Sequence, residues 1–467
     1  MSFKAYPDYM DVGLDWIESI PKHWLVKPNR ALFVESNITN RDNEKLLSVT
    51  ISKGIITQEE LLNSSSKKDS SNLDKSKYKL VEPNDIAYNK MRAWQGAIGV
   101  SKFRGIVSPA YIIHKPKIKI CPDYYHYLFR SASMIKVFEK WSYGITSDQW
   151  SLRPEHFRLI TNILPPYEEQ KQIARYLDYK NHLFNKYIRI KKKQIELLKE
   201  LKQVVINDAV TGKIDVRTGK PYPKYKDSGV EWIGMIPEEW TCKRLKELSK
   251  IVLGKMLKPV KSEGDVLKPY LRSTNIQWLR PNVSDVNSMW FTPRELSLYR
   301  LSKNDILVSE GGEVGRACIW DDELLECYIQ NSVHKITTNQ DILPLYLLYS
   351  FTEKASKGFF KAFVNRVSIG HLTREKIVSI PFIVPPPETQ ESIIKFLAKI
   401  DQRTELTLSL YLSQITTIKE LQTRLISDVV TGKLDVRSIE IPDFEEEPEE
   451  LDEEIIDDSI EDAANAD

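Results

Sequence analysis

Two short stretches bring cationic, amide and indole side chains together. The first runs through Lys67, Lys68, Lys75, Lys77 and Lys79 to Asn89-Lys90-Met91-Arg92-Ala93-Trp94-Gln95. The second has Lys255, Lys258, Lys261 and Lys268, then Arg272-Ser273-Thr274-Asn275-Ile276-Gln277-Trp278-Leu279-Arg280. These residue types suit recognition of a duplex nucleic acid. Lysine holds phosphate, an arginine fork matches the two acceptors of guanine, and asparagine or glutamine matches the donor–acceptor pair of adenine. The candidate contacts are therefore Lys67, Lys68, Lys90, Arg92, Trp94, Gln95, Lys255, Lys258, Arg272, Asn275, Gln277 and Arg280. The same residues also suit an ordinary solvated surface, and their types alone do not separate the two readings.

Catalytic chemistry is harder to find. Cys121, Cys242, Cys318 and Cys327 show no CxxC spacing, so neither a disulfide framework nor a metal site is expected. The seven histidines form no HExxH or triad-like grouping. No carboxylate–lysine cluster of a nuclease stands out. Leu164-Pro165-Pro166-Tyr167 resembles the Asn/Asp-Pro-Pro-Tyr loop of adenine methyltransferases, where a polar side chain grips the target amino group. Leu164 cannot accept that hydrogen bond, and the second copy, Val384-Pro385-Pro386-Pro387, lacks the aromatic as well. A strand-to-helix junction is the better reading. Glu310-Gly311-Gly312-Glu313-Val314-Gly315 is the nearest approach to a phosphate-cradling loop. No helical pattern follows it and it has no evident counterpart earlier in the chain, so a turn is expected. Thr211-Gly212-Lys213 lacks the upstream glycines of a phosphate loop.

Bulk charge leans the same way as the loops. The net charge of +2 hides an asymmetry, because residues 438–467 hold 15 Asp and Glu and no Lys or Arg. The remainder carries 67 basic against 50 acidic residues. A basic body is the electrostatic footprint of a nucleic-acid binder, although a lysine-rich solvated surface has the same signature. No run of about 18 apolar residues occurs, so no membrane span is expected. No signal-peptide pattern opens the chain, and a cytoplasmic location is the expectation.

The elements that must position these loops occur twice. Residues 6–24, YPDYMDVGLDWIESIPKHW, and 222–240, YPKYKDSGVEWIGMIPEEW, share ten of nineteen positions at an offset of 216. DAVTGKIDVR at 208–217 and DVVTGKLDVR at 428–437 share eight of ten, at an offset of 220. LPPYEEQ at 164–170 and VPPPETQ at 384–390 keep that offset, as do Asn84-Asp85-Ile86 and Asn304-Asp305-Ile306. A period this long is a whole domain plus a helix, not a solenoid unit. Each copy opens with short β-rich patches, such as EKLLSVTI, NDIAYNKM and RGIVSPAYIIH in the first and KNDILVSE, RACIW and NSVHKITT in the second. Each ends in a stretch of about 43 residues with helical periodicity, about 60 Å long at 1.5 Å per residue.

The apolar positions of those stretches recur at three, four or seven. They are Leu177, Phe184, Ile188, Ile195, Leu198, Leu201 and Val205 in the first, and Leu397, Leu408, Ile415, Ile418, Leu421 and Leu425 in the second. Neither stripe can be buried alone, so a coiled coil between the two is expected. Prolines precede each helix, acidic residues lie in its first turn, and Gly212 and Gly432 suit left-handed closing positions. The fold class expected is α+β: two mixed α/β domains joined by a long antiparallel two-helix coiled coil, with a pseudo-two-fold internal repeat. The boundaries are a first domain over 1–165, a long helix over 166–212, a connector at 213–221, a second domain over 222–385, a second long helix over 386–432, and a C-terminal extension over 433–467. Its acidic tail is expected to be disordered.

The repeated Gly-x-x-Trp-Ile-x-x-Ile-Pro-x-x-Trp segments (Gly13–Trp24 and Gly229–Trp240), the Pro-Pro-x-x-x-Gln helix starts and the Thr-Gly-Lys-[Ile/Leu]-Asp-Val-Arg helix ends together resemble the specificity subunit of Type I restriction–modification systems. The likeness spans about 6–437 and runs through the family's order twice. Glu18 stands where the family pattern has glycine. The resemblance implies that each globular part is a target-recognition domain for one half of a bipartite double-stranded DNA sequence. It implies that the paired helices set the gap and dock two methyltransferase subunits and two restriction–motor subunits. It implies no active site and no cofactor on this chain, with S-adenosylmethionine, ATP and Mg used by the partners. Two other classes remain open from the residues: a self-contained methyltransferase or nuclease with fused recognition, and an architectural DNA-binding protein.

Overall fold

The computed structural model describes residues 4–63, 74–144, 149–365 and 371–445. The chain forms two compact units, Met1–Lys192 with Leu412–Asp467, and Lys193–Tyr411. Each unit therefore takes its long-helix segments from both halves of the chain.

The first unit is built on a four-stranded antiparallel sheet in the order Phe33–Ser36, Tyr111–Pro116, Ile86–Asn89, Ile98–Val100. Three of its strands are short and almost wholly buried, while the edge strand Phe33–Ser36 exposes Val34 and Glu35. Tyr88, Tyr124, Tyr125, Phe129, Phe138 and Phe157 fill the core between the sheet and the helices Pro122–Phe129, Ala132–Lys140 and Pro154–Leu159. Asn84 enters the central strand with φ +75°, a turn conformation that asparagine tolerates better than most side chains. The buried Asp85 carboxylate accepts a hydrogen bond from the Glu82 amide at 2.9 Å. Strand Leu25–Pro28 pairs with Thr161–Leu164, which delivers the chain to the first long helix, Tyr167–Val210.

The end of the second long helix, Pro387–Val430, closes this unit. The hydroxyls of Tyr124 and Tyr9 donate to the carbonyls of Val430 (2.9 Å) and Gly432 (3.0 Å). Gly432 has φ +76°, and a Cβ there would lie 2.6 Å from Pro21 and 2.9 Å from Trp24. No other residue fits. Beyond it, Ile439 and Ile441 pack on the same core, and the Gln172 side chain donates to the carbonyls of Val436 and Ile439. Phe444 rests against the rings of Tyr179 and His182. The expected disorder of the tail therefore does not hold at 439–444, where three apolar side chains anchor an acidic segment; 446–467 lie outside the described residues.

The second unit has a sheet in the order Ser249–Leu253, Val333–Thr338, Ile306–Ser309, Ala317–Ile319, strand for strand the order of the first unit. Asn304 (φ +72°) precedes its central strand, and the Asp305 carboxylate accepts from the Ser302 amide at 2.9 Å. A three-stranded sheet of Asn287–Phe291, Val266–Leu271 and Tyr328–Ile329 packs beside it. Strand Thr241–Arg244 pairs with Pro381–Val384 ahead of the second long helix. Here the closing residue is Gly212 (φ +75°), whose Cβ would lie 2.5 Å from Pro237 and 2.9 Å from Trp240. Tyr225 donates to the Gly212 carbonyl and Tyr346 to that of Val210.

Within the first unit the long-helix segments run in opposite directions, since Asn181 bonds Gln422 and Tyr187 bonds Gln414. Within the second, Lys202 reaches Asp401 at 2.7 Å. Leu177 and Leu397 are fully buried, and Leu425 nearly so. Phe184 and Val205 pack against the cores, while Ile188, Ile195, Leu198, Leu408, Ile415 and Ile418 are half-buried. Leu201 and Leu421 depart from the sequence expectation, at 59% and 48% exposed. The reason is the neighbouring residue. Lys202 and Gln422 take the inward places, and their polar ends meet Asp401 and Asn181. No helix among the described residues is long and apolar enough to cross a membrane.

Candidate nucleic-acid interface

In the first unit the loop between the central strand Ile86–Asn89 and the edge strand Ile98–Val100 carries the candidate residues. The Asn89 side chain turns inward and accepts from the Met91 amide at 2.9 Å. The chain then makes one 3₁₀ turn, Ala93–Gln95, closed by Gly96 at φ +103°. The Trp94 indole donates to the Met91 carbonyl, and its ring meets Trp150 edge-on at 5.3 Å. The Lys90 carbonyl accepts from the Leu152 amide at 2.8 Å. The loop is thus a braced platform, on which Lys90 and Arg92 are half-exposed. The Gln95 side-chain oxygen is buried with no hydrogen-bond partner among the described residues. Lys67 and Lys68 lie outside the described residues.

In the second unit two loops meet. One is 272–280, after strand Val266–Leu271. The other is 310–316, between the central strand Ile306–Ser309 and the edge strand Ala317–Ile319. The Trp278 indole donates to a Glu313 carboxylate oxygen at 2.8 Å, and Arg316 donates to the Ser273 carbonyl at 3.0 Å. Leu279 holds φ +73°, an unusual conformation for a branched side chain. Its amide and carbonyl bond to Ala317 and Ile319, which fixes the strained residue from both sides. Gln277 and Arg280 project as exposed side chains on either side of Trp278. A shallow cavity of about 520 Å³, lined by Lys246, Lys250 and Arg374, opens beside strand Ser249–Leu253.

A family model described as the Type I restriction modification DNA specificity domain matches residues 237–416. The type I restriction enzyme MjaVIII specificity subunit of Methanocaldococcus jannaschii is 26% identical over 383 residues, covering 77% of this chain and 81% of that protein. The MjaX specificity subunit of the same organism is 24% identical over 383 residues, covering 78% and 81%. Over most of its length the chain is similar to Type I specificity subunits. Solved structures share the mixed α+β fold. A chain from a study of complex assembly and conformational transition of the type I R-M system matches with a TM-score of 0.64 at 15% identity, over 89% of this chain and 99% of that one. The HsdS subunit from Thermoanaerobacter tengcongensis matches with a TM-score of 0.51 at 15% identity, over 89% and 98%.

The placement of the candidate residues matters one by one. Asn275 does not face outward. It is 3% exposed, its amide donates to the carbonyls of Asn282 and Asp285, and its oxygen accepts from the Arg272 amide. The loop itself uses up this side chain. Lys255 and Lys258 are tied to Glu295 and Asp265, and Arg272 to Asp285. The 310–316 loop does have a counterpart in the first unit. It fills the place of the 89–97 loop between equivalent strands, so 89–95 and 272–280 are not the matching pair. Sequence comparison missed this because none of residues 90–96 matches its counterpart in 310–316 at the offset of 220, and only the flanking strands keep the pattern. Trp150, Glu313 and Arg316 also escaped it, because contacts distant in sequence give them their place.

Proposed function

We propose that this chain is the non-catalytic subunit that gives a Type I restriction–modification complex its DNA sequence specificity. Each unit reads one half of a bipartite duplex target. The two long helices pair as an antiparallel coiled coil, fix the unread gap and dock the other subunits. The observation that carries this reading is one frame with two contents. The same sheet order supports a loop of Lys90, Arg92, Trp94 and Gln95 in one unit and of Glu310, Gly311, Gly312 and Glu313 in the other. A duplicated scaffold with unlike loops suits two unlike half-sites, because base edges are read by side-chain type while the scaffold holds register on the backbone. Two methyltransferase subunits and two restriction–motor subunits complete the assembly, and S-adenosylmethionine, ATP and Mg belong to them.

The test is an adenine methylation map of hosts expressing this chain, a methyltransferase subunit, or both. Methylation of a two-part motif with a fixed gap, seen only with both chains, supports the proposal. Methylation by this chain alone makes it an enzyme and overturns it.

A further inference from the structure

We infer that Arg130 and Arg316 are the positioning residues that lock the reading loops of their respective units against a neighbouring loop. In the first unit the loop after strand Leu47–Thr50 lies beside the loop that holds Trp94 and Gln95. Carbonyl oxygens from both loops converge on one guanidinium. Arg130, at the end of helix Pro122–Phe129, donates to the carbonyls of Ile51 (2.8 Å) and Ser52 on one loop, and to Gly96 and Ile98 (both 3.1 Å) on the other. A planar group with five N–H donors can serve such a set, whereas an ammonium has three and no fixed plane.

The second unit solves the same problem from a different residue. Arg316 donates to the Ser273 carbonyl, on the loop after strand Val266–Leu271, and pairs at 3.3 Å with Glu313 on its own loop, 310–316. Glu313 in turn holds the Trp278 indole. The hairpin register explains why the cation comes from different places. Ser309 donates its amide to the Arg316 carbonyl, and Asn89 donates to that of Ala97, so Ala97 occupies the position of Arg316. Alanine cannot bridge two loops, and Arg130 reaches the same junction from the helix. Neither arginine needs to touch a base. Each sets the spacing between side chains that do, and a spacing error of a fraction of a base step removes discrimination between bases.

The inference rests on the reading of DNA by these loops. Its test uses the full chain with its methyltransferase subunit, scored on a library with every single mismatch in both half-sites. Arg130→Gln is expected to raise methylation of sites mismatched in one half by about tenfold, the scale of a single base-pair preference, and to leave the other half unchanged. Arg316→Gln is expected to do the same to the other half only. Arg130→Lys keeps the charge and loses the fork, so it behaves as Arg130→Gln. Hydrogen exchange on the free chain should quicken at 50–54 and 89–98 in the Arg130 variants, and at 272–280 and 309–317 in Arg316→Gln. Unchanged discrimination overturns the inference. So does a loss spread over both halves, which marks a merely structural role. If Arg130→Gln fails to fold, Arg316→Gln carries the test. A wild-type chain that directs no methylation fails the function, and the exchange pattern still judges the lock.

Discussion

His114 is the clearest case of a side chain placed against its own chemistry. It lies between Tyr88 and Phe157, with ring centroids 5.9 and 4.6 Å away, and both its nitrogens lack partners among the described residues. Burial, reinforced by Arg158, pushes its pKa down to about 4. The folded ring is therefore neutral while the unfolded ring takes up a proton below about 6.5. Stability that is full above that value is lost as pH falls toward 4, by up to ~3 kcal/mol. His126 acts in the same sense, since burial pushes it down to about 3 and its Nδ1 accepts from the Val100 amide. Asp85 opposes them: burial raises it to about 6, so it favours the fold as pH falls from 6 toward 4. His114→Phe keeps the stack and removes two unpaired nitrogens. The melting temperature of the variant should exceed that of the natural chain at pH 5, by more than it does at pH 7.5. Equal pH dependence of the two proteins would show that His114 is not the titrating group.

At the scale of elements, the two glycine turns that end the long helices carry much of the closure. Each is left-handed and each is packed against a proline and a tryptophan. Alanine at either position meets both a strained backbone and a clash, which together cost about 1–3 kcal/mol. Gly432→Ala should destabilise the first unit and Gly212→Ala the second, and hydrogen exchange of the Trp24 and Trp240 regions separates the two effects. The helix starts are fastened similarly. Gln170 donates to the Pro165 carbonyl and accepts from the Cys121 amide, and Gln390 does the same with Pro385 and Leu343. Gln390→Ala leaves the half-buried Leu343 amide without its acceptor and should cost about 1–2 kcal/mol in a denaturant melt.

These elements were the legible ones. The Pro-Pro-x-x-x-Gln and Thr-Gly-Lys motifs stood out in sequence because each geometric task admits one solution, a glycine at positive φ or an amide that both donates and accepts. The long helices were legible from their period. The reading loops were not. Asn275 shares its residue type with base-reading side chains, and only the fold shows it spent on its own loop. Arg130 lies on a helix with nothing in its neighbours to mark it, and its five acceptors come from segments 32 to 80 residues away. Loop contacts made at long range leave no period or spacing to detect.

At the scale of the whole molecule, the proposed function makes sequence preference depend on distance, and the long helices would set that distance. The long helices have 44 residues each. In the first unit their segments meet with Asn181 opposite Gln422 and Tyr187 opposite Gln414, so residues 183–189 face 413–419. Removing those two heptads together keeps each apolar stripe in phase and shortens the pair by about 10 Å. If the helices are the ruler, the unread gap of the methylated motif should shrink by up to about three base pairs at ~3.4 Å each. The same three base pairs turn the duplex by roughly a quarter to a third of a turn, since half-sites face one way only at about 10.5 base pairs. Methylation should therefore be weaker as well as shifted, while the two half-sequences stay the same. Removing one heptad alone leaves the other helix seven residues too long for its partner and should abolish methylation rather than shift it. An unaltered gap after the paired deletion would transfer the ruler to the globular units, and a change in the half-sequences would mean that the helices shape the reading loops and not the distance between them.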